Sequence, residues 1–391
     1  MVDSAGVTPR IAYLADGKVH VKLDDEPPRV VDSPFIESAR RRETSIAQRN
    51  AWKTEGASAL VAARGADPTG IVDLATITGI SRGRAPGEVL YVVRTSAVTG
   101  LFAFDTTTGE EQRLFHGNQV RVESASIRPG VDLVACTLRQ DVVGSHVGVM
   151  RADGSALTEL TDGDVVDGSP SWASDGPRRL LYQSAGVARD AAGRVVGLGP
   201  SAIQELDLDR REVRTLAESA AHDLLSPRMS DDGVLYYIRR PWSAGVRPSP
   251  LRLLLNLLLL PFRLLAAIFH WLNFFTVRYS GKPLVDSPGA QQRQLDARQW
   301  FMWNNLMNAA GQANVGPAAQ DVDATAPPTW HLVRQPAGRE PEVVARGVCA
   351  FDLTANGVVY STGNAVHHRT NDGADARLCT GSRIAQVVAL P

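Results

Sequence analysis

The stretch SPSWASDGPRRLLYQS, from Ser169 to Ser184, carries the pattern that decides the fold. A polar turn containing Asp-Gly is followed by a run of apolar and aromatic residues. Asp and Gly tolerate the positive φ of a tight hairpin turn, and the run that follows has the composition of a half-buried strand. The next stretch, SAIQELDLDRREVRTLAES from Ser201 to Ser219, adds two strands around a second polar turn. Together they predict a four-stranded antiparallel unit.

The same unit recurs along the chain. Further copies cover residues 87–117, 122–163, 224–240 and 348–364, each with a turn ending in Gly and flanking apolar runs. Most copies span about 40 to 55 residues, a period typical of β-propeller blades with four strands each. A single blade cannot bury both of its faces, so the repeat predicts blades stacked around a common axis.

Three of these stretches resemble a known family. SPSWASDG, RADGSALTELTDG and DTTTGEEQRL are similar to the WD40-like repeats of TolB-like six-bladed β-propellers. The resemblance covers most of the chain and implies a fold without implying an activity. The predicted fold class is all-β: a six-bladed β-propeller with closure between its N- and C-terminal strands and an α-helical insertion in blade five.

The two ends of the sequence explain the closure. The segment from Arg10 to Asp32 supplies three strands of one blade, and Ile384–Leu390 supplies a single strand without neighbours in sequence. We expect the two segments to pair and complete a four-stranded blade.

The domain organisation follows from these assignments. Residues 1–241 form blades one to four and the first part of blade five, with a helical linker at 33–56; residues 242–328 form an amphipathic helical insertion; and residues 329–391 complete blades five and six and add the closing strand. In the linker, Ser33 is a suitable N-cap with Pro34 at the first helical position. Its basic residues predict a solvated face, with a contact to a partner or lipid headgroups as the alternative.

The insertion contains the most apolar run of the chain, PLRLLLNLLLLPFRLLAAIFHWLNFFTVR at 250–278. On a helical wheel its few polar residues gather in a narrow stripe, and no Asp or Glu occurs from Gly233 to Val285. This pattern is typical of a helix lying in the interface of an anionic membrane. The predicted membrane-contact residues are Arg252, Leu257, Leu258, Phe262, Arg263, Phe269, Trp271, Phe275 and Arg278. A homo-oligomer contact, packing on the propeller and a membrane span remain as alternatives.

The sequence offers few chemical motifs. It contains no P-loop, HExxH or GxGxxG pattern, and its three cysteines are too sparse for a disulfide framework or a zinc site. We therefore expect no catalytic residue, no metal and no cofactor. A net charge of -1 argues against nucleic-acid binding.

These observations favour a non-catalytic scaffold that binds an unknown protein partner. No signal sequence is recognisable at the N-terminus, so we expect the protein in the cytoplasm, peripheral to the inner face of the cell membrane. The alternatives are a lyase or hydrolase with an active site at one end of the propeller channel, and a soluble homo-oligomer that uses the insertion as its contact.

Overall fold

The structure is a computed structural model in which nearly every described element is a β-strand. It describes residues 8–24, 26–42, 45, 75–95, 98–118, 120–128, 132–139, 144–173, 178–193, 195–242 and 326–390. The chain divides into two compact units, and all of the strands below belong to the first, which comprises Met1–Glu37, Ala75–Ala244 and Leu306–Pro391. Of the second unit, Ser38–Leu74 and Gly245–Asn305, only residues 38–42 and 45 are described.

The strands of residues 10–117 form two four-stranded sheets, the first of which also includes the C-terminal strand. The strands of the first sheet are β1 (Arg10–Ala15), β2 (Lys18–Lys22), β3 (Arg29–Val30) and β25 (Ile384–Leu390). Their order is β25-β1-β2-β3. The strands of the second sheet, in spatial order, are β4 (Thr76–Arg82), β5 (Glu88–Arg94), β6 (Thr99–Asp105) and β7 (Glu111–Gly117).

The middle of the chain forms a nine-stranded sheet. Its strands are β8 (Arg121–Ile127), β9 (Val134–Arg139), β10 (Ser145–Met150), β11 (Thr158–Glu159), β12 (Val165–Trp172), β13 (Arg179–Arg189), β14 (Val195–Leu198), β15 (Ala202–Asp207) and β16 (Glu212–Ala217). One parallel bridge, between Ser145 and Val166, joins the antiparallel run β8–β11 to the antiparallel run that starts at β12. Strand β14 pairs with an extension of β13 that the sequence did not predict.

Two further four-stranded sheets follow along the chain. The first contains β17 (His222–Met229), β18 (Leu235–Pro241), β19 (His331–Gln335) and β20 (Glu342–Arg346), and the second contains β21 (Ala350–Thr354), β22 (Gly357–Ser361), β23 (Ala365–Thr370) and β24 (Asp375–Thr380). Strands β18 and β19 pair directly, with Arg239 opposite His331, although residues 242–330 separate them in sequence. The backbone N–H of Trp242 donates to the carbonyl of Ala221, and that of Ala326 to Thr362.

The predicted pairing of the two chain ends is confirmed. Strand β25 covers Ile384–Leu390 and pairs antiparallel with β1, from Arg10 opposite Leu390 to Ala15 opposite Ile384. The side chain of Gln386 also fastens β25 to β4: its Oε1 accepts from the N–H of Ile80 at 2.8 Å, and its Nε2 donates to the carbonyl of Thr78 at 3.2 Å. The C-terminal strand therefore holds two sheets from the N-terminal third of the chain.

Six strands, one from each four-stranded run, contact one another in a closed cycle. The order is β4, β8, β12, β17, β21, β25 and back to β4. We call these six the inner strands. Five of them, β4, β8, β12, β17 and β25, carry a register shift against the neighbouring strand of their sheet. In β12 and β17 the bulge places Ser169 and Ser226 at positive φ directly before a proline. Such bulges bend a strand and redirect its side chains.

The hydrophobic core lies between successive sheets. Five clusters each join two neighbours in the cycle; an example is the contact of Leu181 and Ile203 with Leu224, Tyr237 and Val333. Burying each such side chain contributes about 1.5–3 kcal/mol. The repeat predicted this face-to-face packing, because a single sheet cannot bury both of its faces.

A hairpin turn and a helix cap have the structures that their local sequences predict. Asp16 and Gly17 have φ values of 49° and 71°, the positive pair that a two-residue hairpin turn between β1 and β2 requires. Ser33 Oγ accepts from the N–H of Ile36 at 3.2 Å and so caps the helix α1, described over residues 34–42. The cap and Pro34 at the first helical position agree with the prediction.

Candidate functional site

The nine predicted membrane-contact residues lie outside the described residues. They are Arg252, Leu257, Leu258, Phe262, Arg263, Phe269, Trp271, Phe275 and Arg278. Within the described ranges, no helix combines the length and apolar character needed to cross a membrane. The prediction of a membrane-contact helix therefore stays a prediction.

A charged cluster joins three of the inner strands. Asp352 of β21 accepts a hydrogen bond at Oδ2 from Arg82 Nε of β4, at 3.0 Å, and its Oδ1 lies 3.5 Å from Arg228 Nε of β17. The N–H of Ala389, on β25, also donates to Oδ2 at 3.0 Å. Arg82 additionally donates to the carbonyl of Leu353. We call Arg82, Arg228 and Asp352 the inner-strand cluster.

Exposure and charge are uneven within this cluster. The side chain of Asp352 is 9% exposed, whereas those of Arg82 and Arg228 are 44% and 31% exposed. Burial lowers the pKa of the Arg228 guanidinium, the Asp352 carboxylate opposes this, and the neighbouring Arg82 adds to the lowering. Protein thus surrounds Arg228 on most sides while part of its surface still meets solvent. Two arginines around one carboxylate leave a net positive charge.

The positions of these three residues along the inner strands bring them together. Arg82 ends β4 and Arg228 comes next to last in β17, so both stand near the C-terminal ends of inner strands, and Asp352 lies in the middle of β21. The bulge in β17 falls between Leu225 and Arg228. Because a bulge changes which face a side chain occupies, this irregularity sets the direction of Arg228.

The cluster is suited to binding an anion more than to transferring a proton. Both oxygens of Asp352 are already engaged, one by two donors and the other by an arginine, which makes the carboxylate a poor general base. A partly exposed guanidinium pair is a good match for a carboxylate of a partner. No group of three or more His, Cys, Asp or Glu side chains suited to a metal ion occurs among the described residues.

A buried acid elsewhere on the inner strands is equally unsuited to catalysis. Asp167 of β12 is 2% exposed, and burial raises its pKa, an effect that the Ser184 and Thr161 side chains oppose. Its Oδ1 has no hydrogen-bond partner. Because a substrate cannot reach a side chain this deeply buried, we assign Asp167 to the interior of the sheet.

The three cysteines are free thiols, as the sequence predicted. Burial raises the pKa of Cys136 to about 12 and that of Cys349 to about 11. Thiols with such values are not nucleophiles at neutral pH.

Sequence reasoning missed the inner-strand cluster. Arg82 and Asp352 are 270 positions apart, and no local motif connects them. The two residues share a position near or within an inner strand of a repeat unit. This correspondence can be recognised only when the strand register and the bulges are known.

Comparison with known proteins supports the fold. No protein-family model and no curated protein sequence matches the chain. Among solved structures, TolB from Acinetobacter baumannii is similar, with a TM-score of 0.51 at 12% identity over 99% of this chain and 69% of that chain. A chain of the nidogen/laminin complex gives 0.49 at 10% identity over 98% and 99%, and tricorn protease gives 0.46 at 11% over 96% and 33%. At these identities the likeness concerns architecture alone: the chain has a TolB-like β-propeller fold.

Proposed function

We propose that the chain is a six-bladed, non-catalytic scaffold that attaches to an anionic membrane surface through the insertion at 242–328. The closed cycle of six inner strands supports six blades, if the nine-stranded sheet is divided at its single parallel bridge between Ser145 and Val166.

The observation that carries the proposal is the direct pairing of β18 with β19. Arg239 and His331 lie opposite each other, so the chain leaves β18 and returns in β19 at the same end of the two strands, and the ladder is not interrupted. An insertion attached in this way can meet a membrane while the propeller keeps all of its strand pairs. Its apolar run and its lack of acidic residues suit anionic lipid.

Vesicle co-sedimentation tests the attachment. Wild-type protein should pellet with anionic vesicles, and the double variant Phe269→Asp, Phe275→Asp should stay in the supernatant at any salt. Each buried large apolar side chain contributes about 1.5–3 kcal/mol, which makes apolar burial the dominant share. The triple variant Arg252→Gln, Arg263→Gln, Arg278→Gln should lose binding mainly on anionic vesicles, and added salt should reproduce that loss.

The chain offers a matched control for the aspartate substitutions. Val196 and Val213 are exposed apolar residues of the described strands, at 64% and 55% exposure. Changing both to Asp alters charge and hydropathy in the same way but should leave vesicle binding intact. Wild-type protein that stays in the supernatant while running as a dimer on a sizing column would overturn the membrane attachment and favour the homo-oligomer.

We further propose that the inner-strand cluster receives a carboxylate of a protein partner. Its two partly exposed arginines and its net positive charge support this, and its fully engaged carboxylate argues against the lyase or hydrolase alternative. A crosslinking pull-down should recover a partner with wild-type protein and lose it with Arg82→Gln. Recovery of the same partner at the same yield with both proteins would reject the assignment.

A further inference from the structure

Three basic side chains lie in a row across the sheet formed by β17–β20. In the register of the ladder, Arg239 of β18 is opposite His331 of β19, and His331 is opposite Arg346 of β20. Residues directly opposite on antiparallel strands share a face, with Cβ atoms about 4.5–5.5 Å apart. We call Arg239, His331 and Arg346 the basic row.

The electrostatics of His331 agree with this placement. Burial lowers the pKa of its imidazole, and the charges of Arg239 and then Arg346 lower it further. The backbone at Pro328 opposes this lowering. His222, at the start of β17, adds a smaller lowering effect and therefore stands near the row.

No acid compensates the arginines of this row within the described part of the chain. Neither Arg239 nor Arg346 has an ion pair with any described residue, and Arg239 Nε is buried without a hydrogen-bond partner. The like charges of Arg239 and Arg346 lie two strands apart, about 10 Å, on either side of His331, and their repulsion weakly destabilises the sheet. A buried guanidinium nitrogen without a partner adds a further penalty, so the native sheet tolerates an arrangement that an anion would relieve.

A cleft opens beside the row. It has a volume of about 380 Å³, and its lining includes His222 and Arg239 together with Tyr237, Gln335, Ser219 and Glu218. Glu218 is the single acidic residue of that lining. The hydroxyl of Tyr237 donates to Gln335 Oε1 at 2.9 Å, which fixes the floor of the cleft. The space accommodates a small group and presents donors to it.

We infer that the basic row and the adjoining cleft bind a phosphate group. A tetrahedral oxyanion offers several acceptor oxygens to donors arriving from different strands, which suits two guanidinium groups and an imidazole better than a planar carboxylate would. The group belongs either to a free phosphate or phosphate monoester or to a lipid headgroup. The site stands on described residues and does not depend on the proposed membrane attachment.

Thermal unfolding of the full chain with inorganic phosphate tests the site. At constant ionic strength, phosphate should raise the Tm of wild-type protein, because a ligand that binds only the native state stabilises it. In Arg239→Gln and in Arg346→Gln the affinity measured by calorimetry should fall about tenfold or more, since each removes a charge-assisted hydrogen bond. Arg239→Lys keeps the charge and should retain part of the affinity, which controls for misfolding.

Arg334→Gln is the matched control. Arg334 lies on the same strand as His331, points to the opposite face, and pairs with Glu342 at 2.8 Å. The substitution makes the same change of charge within the same sheet, and phosphate should bind as it does to wild type. Equal affinity of wild-type, Arg239→Gln and Arg346→Gln proteins for phosphate would overturn a free-phosphate site.

A second arm distinguishes the source of the phosphate. Vesicles of phosphatidylcholine with phosphatidic acid should bind wild-type and Arg334→Gln proteins better than Arg239→Gln if a headgroup occupies the site, and free phosphate should then compete. If free phosphate binds through the row and the vesicles show no dependence on Arg239, the ligand is a soluble phosphate. If neither probe depends on Arg239 and Arg346, the inference is wrong, while vesicle binding that still depends on Phe269 and Phe275 leaves the membrane attachment standing.

Discussion

The arginines of the inner-strand cluster share a buried carboxylate, whereas those of the basic row have none among the described residues. Asp352 binds Arg82 and Arg228 and also accepts the N–H of Ala389. In the row, Arg239 and Arg346 have between them only His331, whose pKa is lowered. In the inner-strand cluster a carboxylate of the fold offsets part of the positive charge, whereas in the basic row no described carboxylate does so. The contrast separates arginines that link inner strands through a shared carboxylate from arginines whose charge depends on a ligand for compensation.

Truncation of the chain before Arg383 should reduce the stability of the protein more than any substitution in either cluster. It removes β25, which pairs with β1, supplies the Ala389 N–H to Asp352 and fastens β4 through Gln386. The open ring would expose two strand edges, and we expect loss of cooperative unfolding, measured by circular dichroism during heating. A truncated protein that melts cooperatively at the wild-type Tm would show that the closing strand is dispensable.

Asp352→Asn should have the next largest effect. It leaves two neighbouring guanidinium groups without their counter-charge, and we expect the free energy of unfolding to fall by about 3 kcal/mol, the lower end of the range for a buried pair, because both arginines are partly exposed. Urea denaturation measures the change. Asp24→Asn is the control, since Asp24 pairs with Arg10 in an exposed position, and it should cause a much smaller loss.

The same contrast shows where sequence reasoning succeeds. Pairing of the ends was predictable because Ile384–Leu390 is an isolated strand pattern and the N-terminal segment lacks one strand. The turn at Asp16-Gly17 and the cap at Ser33 were predictable because each depends on a few adjacent residues.

The charged clusters depend on geometry that no local pattern contains. The positive φ of Ser226 before a proline, with the resulting bulge in β17, determines where Arg228 points. The extension of β13 to Arg189 and its pairing with β14 likewise escaped the repeat pattern. Arg239 lies in the stretch without Asp or Glu, but its register against His331 is defined only by the strand ladder.

Arg346→Glu should sharpen the contrast by giving the basic row a carboxylate of its own. The exposed position on β20 faces His331, and a negative charge there should attract Arg239 across the row and stabilise the ligand-free protein by at most about 0.5 kcal/mol. Arg346→Gln should give a smaller gain in the same direction. Urea denaturation without phosphate measures both, and a loss of stability in Arg346→Glu would show that the row is not under like-charge strain.

His331→Gln should have the smallest effect, and it concerns the pH dependence of stability. Because the folded-state pKa of His331 is lowered, the unfolded chain binds more protons as the pH falls past the ordinary histidine value of about 6.5. The contribution of this histidine is therefore complete above that value and is lost as the pH falls from about 7 to 5.

Replacing His331 should make the fall in unfolding free energy over this range shallower. Sulfate, which stays a dianion across it, should also flatten the fall in wild-type protein by favouring the charged imidazole at the row. His368→Gln is the comparison, because burial lowers the pKa of His368 as well, but that residue lies on β23. Its variant should have a shallower slope than wild type and should still respond to sulfate, whereas His331→Gln should respond much less. A sulfate response of equal size in both variants would show that His331 does not interact with the anion and that its role is purely structural.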